Sequence, residues 1–317
     1  MIRLSAFADE ISPDPSEQIA VLRDEGIRHI DLRGAWGVNV LDLHDRQVGD
    51  LRRGLTDGGI GVAAIASPIG KVPIDGPFDE HLRRFERAIT LAHAFDAPAI
   101  RIFSFYPPAA AATSYPPAAT AGSSAGTANS PVAGSEGIVV DLSTDPLGSD
   151  AGQVDQAAYR DEALRRLREL TARARAAGLT LLHENEKDIY GDTVARCVDL
   201  LRSVDDDHFV AAFDPANYIQ CGQTPYPDAY DAVRPWLRYV HVKDARADGS
   251  VVAAGEGVSR WPDLLRRLRA DGYDGVFALE PHLAAAGQFQ GFSGPALFRH
   301  ASQSLQRLLR DLGWDYA

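Results

Sequence analysis

The chain has 317 residues, 45% of them hydrophobic and 24% charged, enough to bury a large core in one big domain or two. Its net charge of -12 excludes the broad basic face of nucleic-acid proteins, and no run approaches the ~18 to 20 apolar residues of a membrane span. The opening MIRLSAFADE carries acids where a signal peptide is apolar, which points to the cytoplasm. Cys197 and Cys221 fall in different predicted elements and are expected to be ordinary thiols.

Short apolar runs alternate with amphipathic segments, the pattern of parallel strands joined by crossover helices. A first strand is expected over 2–7. Asp14, Pro15 and Glu17 then read as N-cap, first-turn proline and capping box of a helix that Gly26 stops. A second strand over 27–32 leads past Arg33 to a helix near 45–56. The third, over 62–67, ends in SPIGK with Lys71, and a helix follows over 78–95. The fourth, over 99–105, ends RIFSFY with Arg101 near its middle. From 107 to 153 the chain turns to Ala, Ser, Gly, Thr and Pro with no apolar period, which reads as a mobile low-complexity insertion after strand four. The alternation then resumes with a helix over 157–177, a strand over 179–184, a helix over 193–204 and a strand over 209–213. It closes with a helix over 228–236, a strand over 238–242, a helix over 261–270, a strand over 276–279 and a last helix over 294–312. Eight strand-helix pairs, counted without the insertion, predict one TIM barrel domain over 1–317. A doubly wound sheet is the competing fold, but its glycine-rich phosphate fingerprint is missing after strand one.

Four strand ends share a change of character from apolar to chemical. LLHENEKD reaches Glu184, FDPAN carries Asp214 and Asn217, YVHVKDAR carries His241, and ALEPHL carries Glu280. Their spacings of 30, 27 and 39 residues are each about one strand-helix unit, so the four groups come from neighbouring strands five to eight. TIM barrels build active sites at these C-terminal strand ends. Three carboxylates packed there repel one another unless a cation sits between them, so one divalent ion is expected on Glu184, Asp214, His241 and Glu280. This oxygen-rich set suits Mn²⁺, Mg²⁺ or Co²⁺, with Zn²⁺ also compatible. Each residue also has a structural alternative: Glu184 an ion pair, Asp214 a turn cap before Pro215, His241 a core histidine, Glu280 a solvent-facing loop residue. Their coincidence at four consecutive strand ends favours the metal. His183 has the opposite strand parity and is expected to face the helix layer.

These motifs, with LLHENEKDIYGDT, FDPANYIQCG, YVHVKDA, AGEG at 254–257, SPIGK and RIFSFY, resemble the sugar phosphate isomerase/epimerase family of xylose isomerase-like TIM barrels. The resemblance spans the chain except the insertion. It implies a single divalent ion on the same four residues, with Glu184 and Glu280 acting as acid and base on opposite faces of a carbohydrate substrate. The chemistry is an isomerase's or epimerase's: enolisation of a ketose to a cis-enediolate, with the proton returned from the other face or to the neighbouring carbon. Lys71, Arg101, Lys243 and Arg246 are candidates for binding hydroxyls, a phosphate or the enediolate oxygen, and Asn217 and Glu186 for contacting the substrate.

The sequence departs from ketose epimerases in carrying Asn217 where they have a histidine, and Tyr190 where they have a second glutamate. Related barrels that dehydrate cyclic hydroxy-ketones or eliminate from oxidised glycosides use the same enolisation, so a lyase is the alternative. A third possibility is a barrel that binds a sugar without turning it over. An endonuclease IV-type phosphodiesterase fits poorly, because its additional histidines are absent from strand ends two to four and the charge is acidic. Phe298 and Trp314 are expected to be exposed aromatic groups of the last helix, compatible with a homo-oligomer.

Overall fold

The computed structural model describes residues 2–108, 157–283 and 293–317. The insertion expected at 107–153 lies, apart from Pro107 and Pro108, outside the described residues. Eight strands alternate with helices: β1 (Arg3–Ala6), β2 (His29–Leu32), β3 (Gly61–Ile65), β4 (Ala99–Ile102), β5 (Thr180–Glu184), β6 (Phe209–Phe213), β7 (Leu237–Val242) and β8 (Val276–Leu279). They form one parallel sheet in the order β1-β8-β7-β6-β5-β4-β3-β2, and β1 packs against β2 to bring the ring nearly to closure. The fold is the TIM barrel that the alternation predicts.

Around the ring run α1 (Pro15–Asp24), α2 (Asp45–Gly58), α3 (Phe78–Ala94), α4 (Ala157–Ala176), α5 (Val194–Val204), the short α6 (Pro215–Gln220) and α7 (Tyr230–Val233), α8 (Trp261–Ala270) and α9 (Gly294–Asp311). Asp14 caps α1 by accepting from the amide of Ser16. The full reciprocal capping box is at α2, between His44 and Gln47. The helix expected over 228–236 is cut to α7 because Pro235 lacks an amide and cannot continue it.

The core has two layers. Leucine, isoleucine and phenylalanine fill the space between strands and helices, including Phe298, which is fully buried. The expectation of an exposed Phe298 is therefore wrong: Phe298, Ala301, Leu305 and Leu309 recur at helical spacing and form the inward face of α9. Trp314 lies beyond α9 and packs edge-on against Phe277. Inside the ring the lining is smaller, with Ala63, Ala66, Ala99, Ala212 and Ala278 beside Leu182 and Val210. Those methyl groups leave room on the axis for Asp31, Arg101 and Tyr239, all buried. Among the described residues no helix is long and apolar enough to cross a membrane.

Strand four ends sooner than expected, at Ile102. Phe103 and Tyr106 leave the ladder to donate to the carbonyls of Ile69 and Val72, so the SPIGK loop pairs with them instead. Gly70 makes that approach possible: it has φ +90, and a β-carbon there would stand 2.0 Å from the Phe103 carbonyl oxygen.

Candidate metal and active site

Pleat parity decides which side chains enter the barrel. On β5, Leu182 lines the interior and Glu184 stands two residues further on, at the strand's C-terminal end. His183 between them packs against Phe209 and Gly191 in the helix layer, where burial lowers its imidazole to about 4. On β7, Tyr239 and His241 face inward, with Lys243 just past the strand end. Asp214 and Glu280 each follow directly on a strand, β6 and β8.

The structure brings Glu184, Asp214, His241 and Glu280 together, all buried, with ligand atoms within 4.8 Å of one another. His241 Nδ1 lies 3.2 Å from Glu184 Oε1 and 3.6 Å from Glu280 Oε2. Adjacent ligands at right angles on an ion with bonds of about 2.1 Å stand about 3 Å apart, so the spacing fits a small divalent cation. Asp214 Oδ2 and His241 Nδ1 are also buried without hydrogen-bond partners. Asp214 Oδ2 meets only the Lys243 ammonium and His241 Nδ1 only carboxylate oxygens, neither in an aligned hydrogen bond, so both keep capacity for a ligand. The residues present therefore fit a metal.

Asp214 fills two roles with its two oxygens. Oδ1 accepts from the amide of Asn217 and caps α6, while Oδ2 faces Lys243 Nζ at 2.9 Å. Its main chain is fixed by Asn185, which both donates to its carbonyl and accepts from its amide at 2.9 Å. Asn217 is buried and donates to Glu184 Oε1 at 3.2 Å and to the Asn185 carbonyl at 2.9 Å. It thus ties the β5 and β6 ligands to each other.

The glutamates divide their oxygens in the same way. Arg101 Nη1 donates to Glu184 Oε2 at 3.1 Å and to Glu280 Oε1 at 3.3 Å, the oxygens turned away from His241. Arg33 joins Arg101 on Glu280 Oε1 at 3.3 Å while holding Asp9 at 2.7 Å. Both guanidinium groups stack on Phe7, at 5.2 and 5.0 Å. Each glutamate thereby presents one oxygen to the metal position and one to an arginine.

Electrostatics follow from this packing. Burial alone raises the Glu184 carboxyl, but His241 and Arg101 outweigh it and bring the group down to about 2. Burial raises the Glu280 carboxyl too, but Lys243, His282, His241 and Arg101 together hold it well below the usual range. Burial pushes Asp214 up to about 7 against the pull of Lys243, with Glu184 and Glu280 adding to the rise. Burial works against a charged Lys243, yet Asp214 and Glu280 keep it protonated well above the usual value. His241 is likewise raised, because Glu184 more than offsets its burial. Lys243, Arg101 and His241 face the three acids where no ion does so.

A family model described as xylose isomerase-like TIM barrel matches residues 19–308. The chain belongs to that family. No curated protein sequence matches it. A D-tagatose 3-epimerase-like protein superposes with a TM-score of 0.69 at 13% identity, covering 98% of each chain. A xylose isomerase-like TIM barrel protein from Mycobacterium smegmatis, solved in complex with magnesium, gives 0.65 at 20% identity over 98% of this chain and 96% of that one. The probable 3-DHS dehydratase of petrobactin synthesis from Bacillus anthracis gives 0.65 at 16% identity, covering 96% of this chain and 99% of that one. At these identities the likeness is one of fold.

Within this xylose isomerase-like barrel the other candidates divide. Lys71 and Glu186 pair at 2.7 Å on the rim, with Lys71 Nζ 4.3 Å above the Phe103 ring. Arg101 and Lys243 are buried among the acids rather than standing at the rim. Arg246 does not reach the site. Past Lys243 the chain enters a hairpin, Asp244–Ala245 with Val251–Val252, and the exposed Arg246 guanidinium turns to Ser250.

Three residues were missed. Arg33 has the parity of the buried Asp31, which is the signal that would have found it. Glu10 ties the loop after β1 to His282 and Ser293 through its Oε2. Asp244 explains the AGEG motif: buried, it accepts from the amides of Ala245, Gly255, Gly257 and Ser259. With Trp261 Nε1 donating to the Lys243 carbonyl at 3.2 Å, it fixes the backbone that carries Lys243.

Proposed function

We propose that the protein is a divalent-metal-dependent isomerase or epimerase that enolises a hydroxy-ketone of the carbohydrate class. The observation that carries this is the buried set of three carboxylates and one imidazole, in which Asp214 Oδ2 and His241 Nδ1 make no aligned hydrogen bond. Glu184, Asp214, His241 and Glu280 would hold the ion, which when bound polarises a ketone and its neighbouring hydroxyl and so acidifies the C–H bond between them.

The chain's own groups supply the rest. Glu184 ends β5 and Glu280 follows β8, with β6 and β7 between them, and His241, Lys243 and Arg101 together favour their ionised forms, so either can take a proton. One ionised carboxylate removes the proton from one face of the substrate; the other, having first taken a proton from solvent, returns it from the opposite face and inverts the carbon, and the first then gives its own proton back to solvent. Return to the adjacent carbon instead isomerises the sugar. The Lys243 ammonium, 2.9 Å from Asp214 and 3.4 Å from Glu280, is suited to stabilise the oxygen on which negative charge develops. Burial of all four ligands keeps bulk water from quenching the carbanionic carbon.

Elimination of water from a hydroxy-ketone is the second reading. It is supported by likeness to the probable 3-DHS dehydratase and by the same Lys243 ammonium, which can protonate a leaving hydroxyl. Incubation of metal-loaded protein with ketoses in D₂O tests both: deuterium in the recovered ketose or its epimer supports isomerisation or epimerisation, and an enone absorbance supports elimination. Absence of exchange and of enone across a broad panel contradicts enolisation altogether.

A further inference from the structure

The ligand end of the barrel also bears on the charge of the substrate, given that the reaction is the enolisation proposed above. Proteins hold a phosphate or carboxylate with unshared cations, bidentate arginines or the amides of a helix N-terminus, and TIM barrels often do so in the loops after strands seven and eight. Here the cations around the site face the chain's own acids. Lys71 is engaged by Glu186 at 2.7 Å, Lys243 by Asp214 at 2.9 Å and Arg33 by Asp9 at 2.7 Å, while Arg101 bridges Glu184 and Glu280. The exposed Lys187 and Arg246 also have acids beside them. Burial raises the Asp188 carboxyl against the pull of Lys187, and Asp248, lowered by its bonds to Ser250, is drawn down further by Arg246.

The usual anion position after strand eight is taken as well. The amide of His282 and the hydroxyl of Ser293, which immediately precedes α9, both donate to Glu10 Oε2, at 2.8 and 3.0 Å. A carboxyl group of the chain itself thus receives the hydrogen bonds an incoming anion would need. The segments outside the described residues hold no hidden cation: neither 109–156 nor 284–292 contains Lys, Arg or His, and the first adds Glu136, Asp141, Asp145, Asp150 and Asp155.

At the centre, a divalent ion with Glu184, Asp214 and Glu280 sums to one negative charge, which Lys243 and Arg101 turn into one positive charge. That is the complement of the single negative charge that enolisation creates on a neutral ketone. A phosphate or carboxylate brought alongside would be desolvated among acids, with each nearby cation already shared with a carboxylate.

We infer that the substrate is an uncharged polyhydroxy ketone, and that phosphate esters and carboxylates of the same skeleton are rejected. Matched pairs test this: D-fructose with its 6-phosphate and D-tagatose with its 6-phosphate, titrated calorimetrically into metal-loaded protein and followed in parallel by D₂O exchange. The free ketose of at least one pair is expected to bind ten-fold or more tightly than its ester. In Glu186→Gln, which releases Lys71, the gap should narrow by about ten-fold, the scale of one ion pair. An ester bound as tightly as its ketose, or no ketose bound at all, overturns the inference. A ketose that binds in preference to its ester without exchanging a proton leaves the charge selectivity standing and removes the enolisation reading.

Discussion

The two halves of the barrel's ligand end are built from different chemistry. Strands β5 to β8 deliver the four candidate ligand groups, of which Asp214 Oδ2 and His241 Nδ1 make no aligned hydrogen bond. Strands β1 to β4 and their loops deliver Arg33, Lys71 and Arg101 with the aromatic faces of Phe7 and Phe103, and each of these cations is bound to a carboxylate. One half gathers acids that could take up an ion, and the other supplies cations that hold those acids in place. Catalytic capacity is therefore expected to follow changes in the second half of the chain, and stability changes in the first.

The largest break in that contrast is expected from Glu184→Gln, which keeps the shape and removes the charge. Deuterium exchange should fall by about 1000-fold or more, while urea denaturation stays close to wild type. Arg101→Met attacks the other half. It strands the outer oxygen of Glu184 without a counter-charge and leaves that of Glu280 to Arg33 alone, and the metal-free protein should lose about 3–5 kcal/mol in urea denaturation. Saturating metal should restore part of that loss, since the ion binds only the folded chain.

Asp244→Ala sharpens the comparison by damaging the second half without touching a ligand. Four amides lose their acceptor, for an expected cost of about 3 kcal/mol, with metal stoichiometry unchanged and exchange reduced through a displaced Lys243.

The pH dependence of metal binding probes the unpaired atoms directly. In the metal-free site Asp214 is pushed up to about 7 and His241 is raised, so both hold protons that an entering ion must displace. Affinity should rise through about pH 7 as Asp214 gives up its proton, by up to about ten-fold per unit for each proton released, and go on rising until His241 has also lost its own. Calorimetry in two buffers of different ionisation enthalpy reads the proton count.

The smallest effect is expected at Trp36, in the turn of the hairpin after β2. It is 40% exposed and sits at φ +55, a conformation that costs a bulky residue about 1 kcal/mol. Trp36→Asn should stabilise the fold by about that amount, leaving metal content intact.

Much of this was legible from sequence because period and parity carry it. Alternating apolar runs give the barrel, and a polar residue ending such a run, as Glu184, His241 and Glu280 do, declares itself against its neighbours. Asn217 was legible as a neighbour of Asp214, though its bond to Glu184 depends on how α6 turns over β5. What stayed hidden is pairing across the barrel. Nothing local says that Arg101 on β4 reaches Glu280, 179 residues away, or that Arg33 meets it from β2. Arg246 stands just past a strand end, a position from which a charge can face the site, but the tight turn through Asp248 and Gly249 leaves it exposed. Asp244 was overlooked because its partners are backbone amides, which leave no signature of residue type.

The central claim is that the four residues hold one divalent ion, and metal content tests it most directly. Elemental analysis of purified protein and of Glu280→Gln, after equal exposure to Mn²⁺ or Mg²⁺ and with circular dichroism confirming the fold of both, should give about one ion per chain falling to near zero. A full complement of metal in folded Glu280→Gln, or none in the wild type, would contradict it.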